Sequence, residues 1–436
     1  MKRLLAVLGV SAAIFAGLII YSVVGLDTPG KETFMHKVDV EVTPIASPVR
    51  IEEPVKKEVR NAEPEPAPVE DAIVEAKEED WNEESAGESL TEPIDIPENL
   101  STHDPLSYAY SRLSDNEKTV YDEVYVGLTQ YMRDVPVSTT DPSILDKVFN
   151  CVMIDHPEIF YVNGYRYTKF TAGGVIKRII FNGSYTYGQD ERDAIAPDID
   201  TVAQGILMNV YPGASDYDKI KYIFDVIVLQ TEYDIGSTDN QNVISVLLNK
   251  RSVCQGYAKT MQLLLNRLGI PCSLVTGSVI GGERHAWNIV CADGEWYYLD
   301  ATWGDASYIR SDESDGEVIV PDINYDYLLV PYSEISLTHR VESVIDMPDC
   351  VSWNDNYYVR EGLYFTDYDP EGLTQAFNRA ISAGAGYVAL KCSDAGSYQR
   401  MYSELVDNQH IFDYLPGKDV AYSYNEDTHK LLFALK

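Results

Sequence analysis

Three residues in the middle of the chain could together do nucleophilic chemistry: Cys254, His285 and Asp300. Cys254 follows Ser252, a residue type that caps helices. It precedes Tyr257, Met261, Leu264, Leu265 and Leu268, which recur at helical spacing. Gly269 and Pro271 end that helix. The thiol thus falls in a first helical turn, where the dipole and free backbone N–H groups favour a thiolate. Two strands are expected next, Arg284 to Ala292 and Glu295 to Thr302, joined by Asp293-Gly294, a strong two-residue hairpin signal. With Ala292 opposite Glu295, Asp300 falls opposite Trp287, and His285 falls opposite Thr302. Side chains alternate faces along a strand, so His285, Trp287 and Asp300 share one face. His285 and Asp300 become diagonal neighbours, within reach of an imidazole–carboxylate hydrogen bond. A thiol at a helix start, an imidazole and an orienting carboxylate are the parts of an activated thiol nucleophile.

These residues sit in three motifs, VCQGYA around Cys254, HAWN around His285 and LDATW around Asp300. The separations are 31 residues from Cys254 to His285 and 15 from His285 to Asp300. In that order and at that spacing the motifs resemble the transglutaminase-like superfamily, which shares a papain-like Cys-His-Asp arrangement. The resemblance runs from Arg251 to Asp305. It implies an α+β, transglutaminase-like (papain-like) catalytic domain in which the helix carrying the cysteine packs on an antiparallel sheet. It also implies Cys254 as nucleophile, His285 as base and Asp300 as orienter. Tyr233, in TEYD, stands where relatives often carry a tyrosine near the active site. With Trp287 and Trp303, which lie inside the motifs, it is expected to line the substrate. The segment DHPEIFYVNG, Asp155 to Gly164, resembles one that often precedes this domain in membrane-anchored bacterial relatives. The backbone N–H of Cys254 is a natural oxyanion donor; no second donor is identified.

Composition excludes some function classes. The 436 residues carry a formal net charge of −35, with 69 acidic and 34 basic residues. Nucleic acid is therefore not an expected partner, because binding it needs basic patches against phosphate. The six cysteines are dispersed without a CxxC pair, so neither a zinc site nor a disulfide framework is indicated. The acidic run between Asp305 and Asp326 lacks an EF-hand pattern and reads as a solvated loop. No metal and no cofactor are expected.

Other elements must position the three residues. Lys2 and Arg3 precede Leu4 to Leu26, a run of 23 residues without charge, long enough to span a bilayer. Residues 1–26 read as an uncleaved signal anchor with the N-terminus inside, a cleaved signal peptide being the alternative. Residues 27–104 are acidic and proline-rich and read as an unfolded tether. An N-terminal α+β module follows at 105–212. Its first helix opens at a Ser114/Glu117 capping box, and a second covers about Ser143 to Ile154. Strands are expected at Ile159 to Val162, Tyr165 to Phe170 and Val175 to Asn182, then a helix near Asp190 to Val210. The catalytic domain occupies 213–342 and opens with a capped helix from Ser215 to Leu229. A smaller C-terminal α+β module fills 343–436, with a strand expected at Tyr357 to Phe365 and a closing hairpin. The expected function is a membrane-anchored, extracytoplasmic cysteine acyl-transfer enzyme, acting on amide bonds of a peptide or protein at the cell surface through a thioester. The alternative is a non-enzymatic binding module on the same fold.

Overall fold

A computed structural model describes residues 73–80, 94, 96, 101–305, 321–416 and 420–435. The N-terminal apolar run, the question of its cleavage, and most of the acidic loop lie outside those residues. Among the described residues no helix is long and apolar enough to cross a membrane.

The first described strand, β1 (Ile73–Asp80), lies inside the stretch expected to be an unfolded tether. Then come α1 (Tyr108–Ser111), α2 (Asp115–Thr129), β2 (Val135–Val137), α3 (Pro142–Asp155), β3 (Val162–Ala172), β4 (Val175–Tyr185) and α4 (Gln189–Leu207). The expected capping box opens α2: Ser114 N–H donates to Glu117 Oε2 at 2.8 Å, and the Glu117 N–H returns to the Ser114 hydroxyl. The strand expected from Ile159 begins only at Val162, after tight turns. These strands form a sheet in the order β1-β3-β4-β2. β1 joins it in parallel, with Glu75 opposite Arg166 and Glu78 opposite Lys169. Opposite charges across the ladder thus accompany a strand with almost no buried surface of its own.

The second sheet positions the three chemical residues. Helix α5 (Asp216–Gln230), capped by Ser215, leads to β5 (Glu232–Tyr233) and β6 (Arg251–Ser252), which pair in parallel. Next are α6 (Cys254–Arg267), β7 (Cys272–Val279), β8 (Arg284–Ala292), β9 (Glu295–Leu299), α7 (Ala301–Gly304), α8 (Tyr332–Ile335) and β10 (His339–Val341). The order is β10-β7-β8-β9, each neighbour antiparallel. Helix α6 packs on β7 and β8 with its Met261, Leu264 and Leu265 fully buried. Gly269, at φ 76°, ends it in the left-handed conformation that glycine tolerates.

One hydrophobic core runs from Tyr108 to Cys350, so the regions divided at 212/213 are not separate cores. Gln262 on α6 reinforces that union by donating to the Ile154 carbonyl of α3 at 2.8 Å. A second core spans Phe365 to Leu435. After α9 (Tyr357–Arg360), whose Tyr358 clusters separately with Ala389 and Leu432, it is built from β11 (Tyr364–Phe365), α10 (Pro370–Ser382), β12 (Tyr387–Cys392), α11 (Ala395–Tyr402), α12 (Ile411–Tyr414), β13 (Tyr422–Asn425) and β14 (Lys430–Ala434). The strand expected from Tyr357 starts instead as a helical turn, because the Asn356 side chain caps it by accepting from Tyr358 N–H. The expected closing hairpin is present as β13 and β14.

Candidate active site

Cys254 is the first residue of α6, but the cap differs from expectation. The N-cap is Val253, with no side-chain cap. Ser252 belongs to β6, and its hydroxyl is engaged with Ser245 and the Asn240 carbonyl. The helix start is fixed by packing. A Cβ on Gly256 would stand 2.1 Å from Ser252 Oγ, 2.5 Å from Ser245 Oγ and 2.9 Å from the Asn240 carbonyl oxygen, so the motif requires glycine there. Tyr257 of the same motif donates to Asp305 Oδ2 at 2.7 Å, which ties the cysteine helix to the end of the LDATWGD segment.

The hairpin register is as expected from Ala292↔Glu295 to Asn288↔Leu299. It then stops one residue short of the carboxylate. Asp300 is not a strand residue: it caps α7, its Oδ1 accepting from Thr302 N–H at 2.8 Å and Trp303 N–H at 3.2 Å. Thr302 therefore lies in the helical turn rather than opposite His285. The capping tendency of aspartate overrides the alternation on which a strand to Thr302 was projected. His285 pairs across β7 with Gly277 instead.

Even so, the chain brings the two together. His285 Nε2 donates to Asp300 Oδ2 at 2.7 Å, and both side chains are 1% exposed. Cys254 is fully buried. The charge of its sulfur acts on the imidazole, but no hydrogen bond joins the two. With Nε2 committed to Asp300, the nitrogen left for the sulfur is Nδ1, which is buried without a hydrogen-bond partner. Burial by itself would lower the pKa of His285. The charges of Asp300 and then Cys254 outweigh burial and raise it to about 10. Asp300 is likewise opposed by burial, yet the charge and N–H of His285 and the N–H of His339 hold its carboxyl below the usual range.

His339 is the residue that sequence reasoning missed. It starts β10, lies 39 residues beyond Asp300 and belongs to none of the three motifs, so no spacing signal points to it. Its Nε2 also reaches Asp300 Oδ2, at 3.1 Å.

The aromatic residues expected at the substrate fall into different places. Trp287 is completely buried. Its ring lies 5.8 Å from that of His285 and edge-on to His339 at 4.9 Å, so it walls the site and offers no surface to a substrate. Trp303 is 4% exposed and packs against Tyr327 and His339. Tyr233 is half-buried on β5, opposite Ser252 on β6, two residues before Cys254. Asn288 of the HAWN motif is structural: its Nδ2 donates to the Ala258 carbonyl at 2.9 Å and pins β8 to α6.

Among the described residues, His285, Asp300 and His339 are the group whose ligand atoms come within 4.8 Å of one another. Both imidazoles already spend Nε2 on one carboxylate oxygen. A metal there would break both hydrogen bonds and take the base from the thiol. All six cysteines are free thiols.

Comparison with known proteins fixes the family of this region. The profile of the transglutaminase-like superfamily matches residues 203–301, which include Cys254, His285 and Asp300. This segment belongs to the transglutaminase-like superfamily. Kyphoscoliosis peptidase of Homo sapiens is 28% identical over 106 residues, a match covering 21% of this chain and 16% of the relative; that of Mus musculus gives the same figures. The chain therefore spans about a sixth of the length of these curated relatives. Among solved structures, a TGase shares 16% identity over 36% of this chain and 54% of its own, with a TM-score of 0.24. The periplasmic domain of TgpA from Pseudomonas aeruginosa, bound to ethylmercury, shares 14% over 30% of this chain and 57% of its own, with a TM-score of 0.15. The profile match ends before Trp303 and His339.

Proposed function

We propose that the protein is a cysteine acyl-transfer enzyme acting on amide bonds of a peptide or protein, with Cys254 as nucleophile. The observation that carries this reading is His285, held by Asp300 on Nε2, left with a buried, unpartnered Nδ1 and sensing the charge of Cys254. A thiol at a helix N-terminus, an imidazole and an orienting carboxylate in one buried site are the parts of an activated thiol nucleophile. The thiolate attacks the amide carbonyl carbon, a C–S bond forms, and negative charge moves to the carbonyl oxygen. Cys254, as first residue of α6, has no intrahelical carbonyl for its own N–H. That N–H is a ready oxyanion donor. As the intermediate collapses the C–N bond breaks, and the Nδ1 proton of His285 passes to the leaving amine. Water, or a second amine, then gives a proton back to His285, attacks the thioester and releases the thiolate. The uncharged run from Leu4 to Leu26 supports placing this chemistry outside the cytoplasm, anchored at the membrane.

Enclosure of the site favours a second reading. Cys254 is 0% exposed, so an amide reaches the sulfur only after something covering it moves. A binding module on the same fold needs no such access. Site-resolved labelling of the full chain with iodoacetamide separates the two. An enzyme should label at Cys254 well ahead of the other buried thiols, Cys151, Cys272, Cys350 and Cys392. Labelling at Cys254 no faster than at those four would remove the catalytic reading. Trapping the acyl-enzyme from a cell-surface extract and weighing the acyl group would then identify the substrate class.

A further inference from the structure

His339 has no part in the reaction as written above, yet it is as carefully held as the residues that do. It is 2% exposed on the edge strand β10. Its Nδ1 meets the Thr338 hydroxyl at 2.8 Å, and its Nε2 meets Asp300 Oδ2 at 3.1 Å. The rings of Trp287, Trp303 and Tyr327 surround it at 4.9, 4.7 and 5.7 Å. The sheet is shaped to allow this. Gly277 on β7 lies between His285 on β8 and Val341 on β10. A Cβ at Gly277 would stand 2.0 Å from the Arg340 carbonyl oxygen and 2.8 Å from the Trp287 ring. Its absence lets β10 close on β7 and lets Trp287 lie across to His339.

The consequence is a carboxylate with every strong acceptor position taken. Oδ1 accepts the two N–H groups of α7, and Oδ2 accepts two imidazoles whose ring centres are 5.4 Å apart. We propose that His339 is a positioning residue of the reaction assigned to Cys254: its Nε2–H takes the second lone pair of Asp300 Oδ2, so the carboxylate divides its charge between two imidazoles and His285 can release its proton to the leaving amine. The proposal rests on the catalytic reading of Cys254. The chemistry needs such a brake. Asp300 alone, undivided and buried, would hold the proton on His285 more tightly, and an acid works best when its pKa lies near the working pH. His339 is suited to be the neutral partner. Burial lowers its pKa, and the Asp300 contact only partly opposes that. The titratable groups facing it are Asp300, His285 and Tyr327; those facing His285 are Asp300, Cys254 and His339.

The test is the pH profile of Cys254 alkylation by iodoacetamide, read by mass spectrometry in the full chain, which needs no substrate. His339→Phe removes the N–H and keeps a ring. The alkaline limb, where His285 loses its proton, should move up by about half a unit to one unit, because the undivided Asp300 charge holds that proton longer. His339→Gln places an N–H near the position of Nε2 and should return the limb to the wild-type pH. Should His339→Phe fail to fold, Thr338→Val releases the hydroxyl holding Nδ1 and should move the limb in the same direction by less. An unmoved limb in folded His339→Phe, or no recovery in His339→Gln, would overturn the positioning role while leaving Cys254 catalytic. A wild-type Cys254 of ordinary reactivity would overturn both. When a substrate is in hand, kcat should fall about tenfold in His339→Phe with KM little changed, the pattern of a lost proton-transfer aid.

Discussion

Asp300→Asn tests the site most sharply, because the carboxylate has four partners and an amide can satisfy only half of them in the same way. The two N–H groups of α7 require an acceptor, so the Asn oxygen takes the place of Oδ1. The NH₂ must then face Nε2 of both His285 and His339. To accept from it, His285 has to move its proton to Nδ1, the nitrogen that should serve the thiol. The equivalent change in a serine triad costs about 10⁴ in turnover, and a thiol depends less on its base, so a loss of about 10² to 10³ is expected here. Stability should respond too. Two hydrogen bonds to a charged group are lost, each worth roughly 1.5–3 kcal/mol. Removing a buried charge offsets part of that, leaving a net loss of about 1–3 kcal/mol. The pH dependence carries the decisive sign. His285 has its pKa raised to about 10 in the folded protein, against an ordinary imidazole value of 6.5. The stability this contributes is fully present below pH 6.5 and is lost as pH rises through about 10. Asp300→Asn lacks that contribution, so the gap between wild type and variant should be widest near pH 6 and narrow toward pH 9.5. Urea denaturation of both proteins at the two pH values measures it. A gap of equal size at both, or wild-type labelling of Cys254 in the folded variant, would refute the charge pairing described here.

Three further outcomes are expected. Cys254→Ser should abolish iodoacetamide labelling at that position and turnover, while thermal melts stay within about 1 kcal/mol of wild type, since the change barely alters volume. Lys259→Met should stabilise the protein at pH 7. Burial lowers the pKa of Lys259 to about 8, so the native state carries a desolvation cost below pH 8 that the unfolded chain escapes. The gain should shrink as pH rises toward 10.5, and no gain at pH 7 in urea melts would show that the amine is solvated. Gly277→Val should cost about 3 kcal/mol or more by forcing β10 from β7, and should weaken the His339–Asp300 contact as well, read as a lowered melting temperature with an altered pH profile of Cys254 labelling.

Much of this protein was legible along the chain. Helical spacing after Cys254, the Gly269 stop and the Asp293-Gly294 turn are local signals, and the helix and hairpin they announce are present. The capping boxes at Ser114 and Ser215 are equally local and set the helix starts. Order and spacing of three motifs named the family because each motif is a short contiguous piece. Local signals failed where two of them competed. At Asp300 the capping tendency beat strand alternation, at Ser252 packing against Ser245 replaced capping, and at Tyr357 the Asn356 cap turned an expected strand into a helical turn. The stretch Ile73–Asp80 looked unfolded because nothing in its composition buries surface; it is ordered by pairing with a strand some ninety residues away. Tertiary structure alone decided the rest. His339 meets Asp300 only because β10 returns to the edge of the sheet, and Gly277 matters only because two distant backbones and Trp287 converge on it. A sequence specifies which side chains can share a proton; only the closure of strands far apart in the chain decides which of them do.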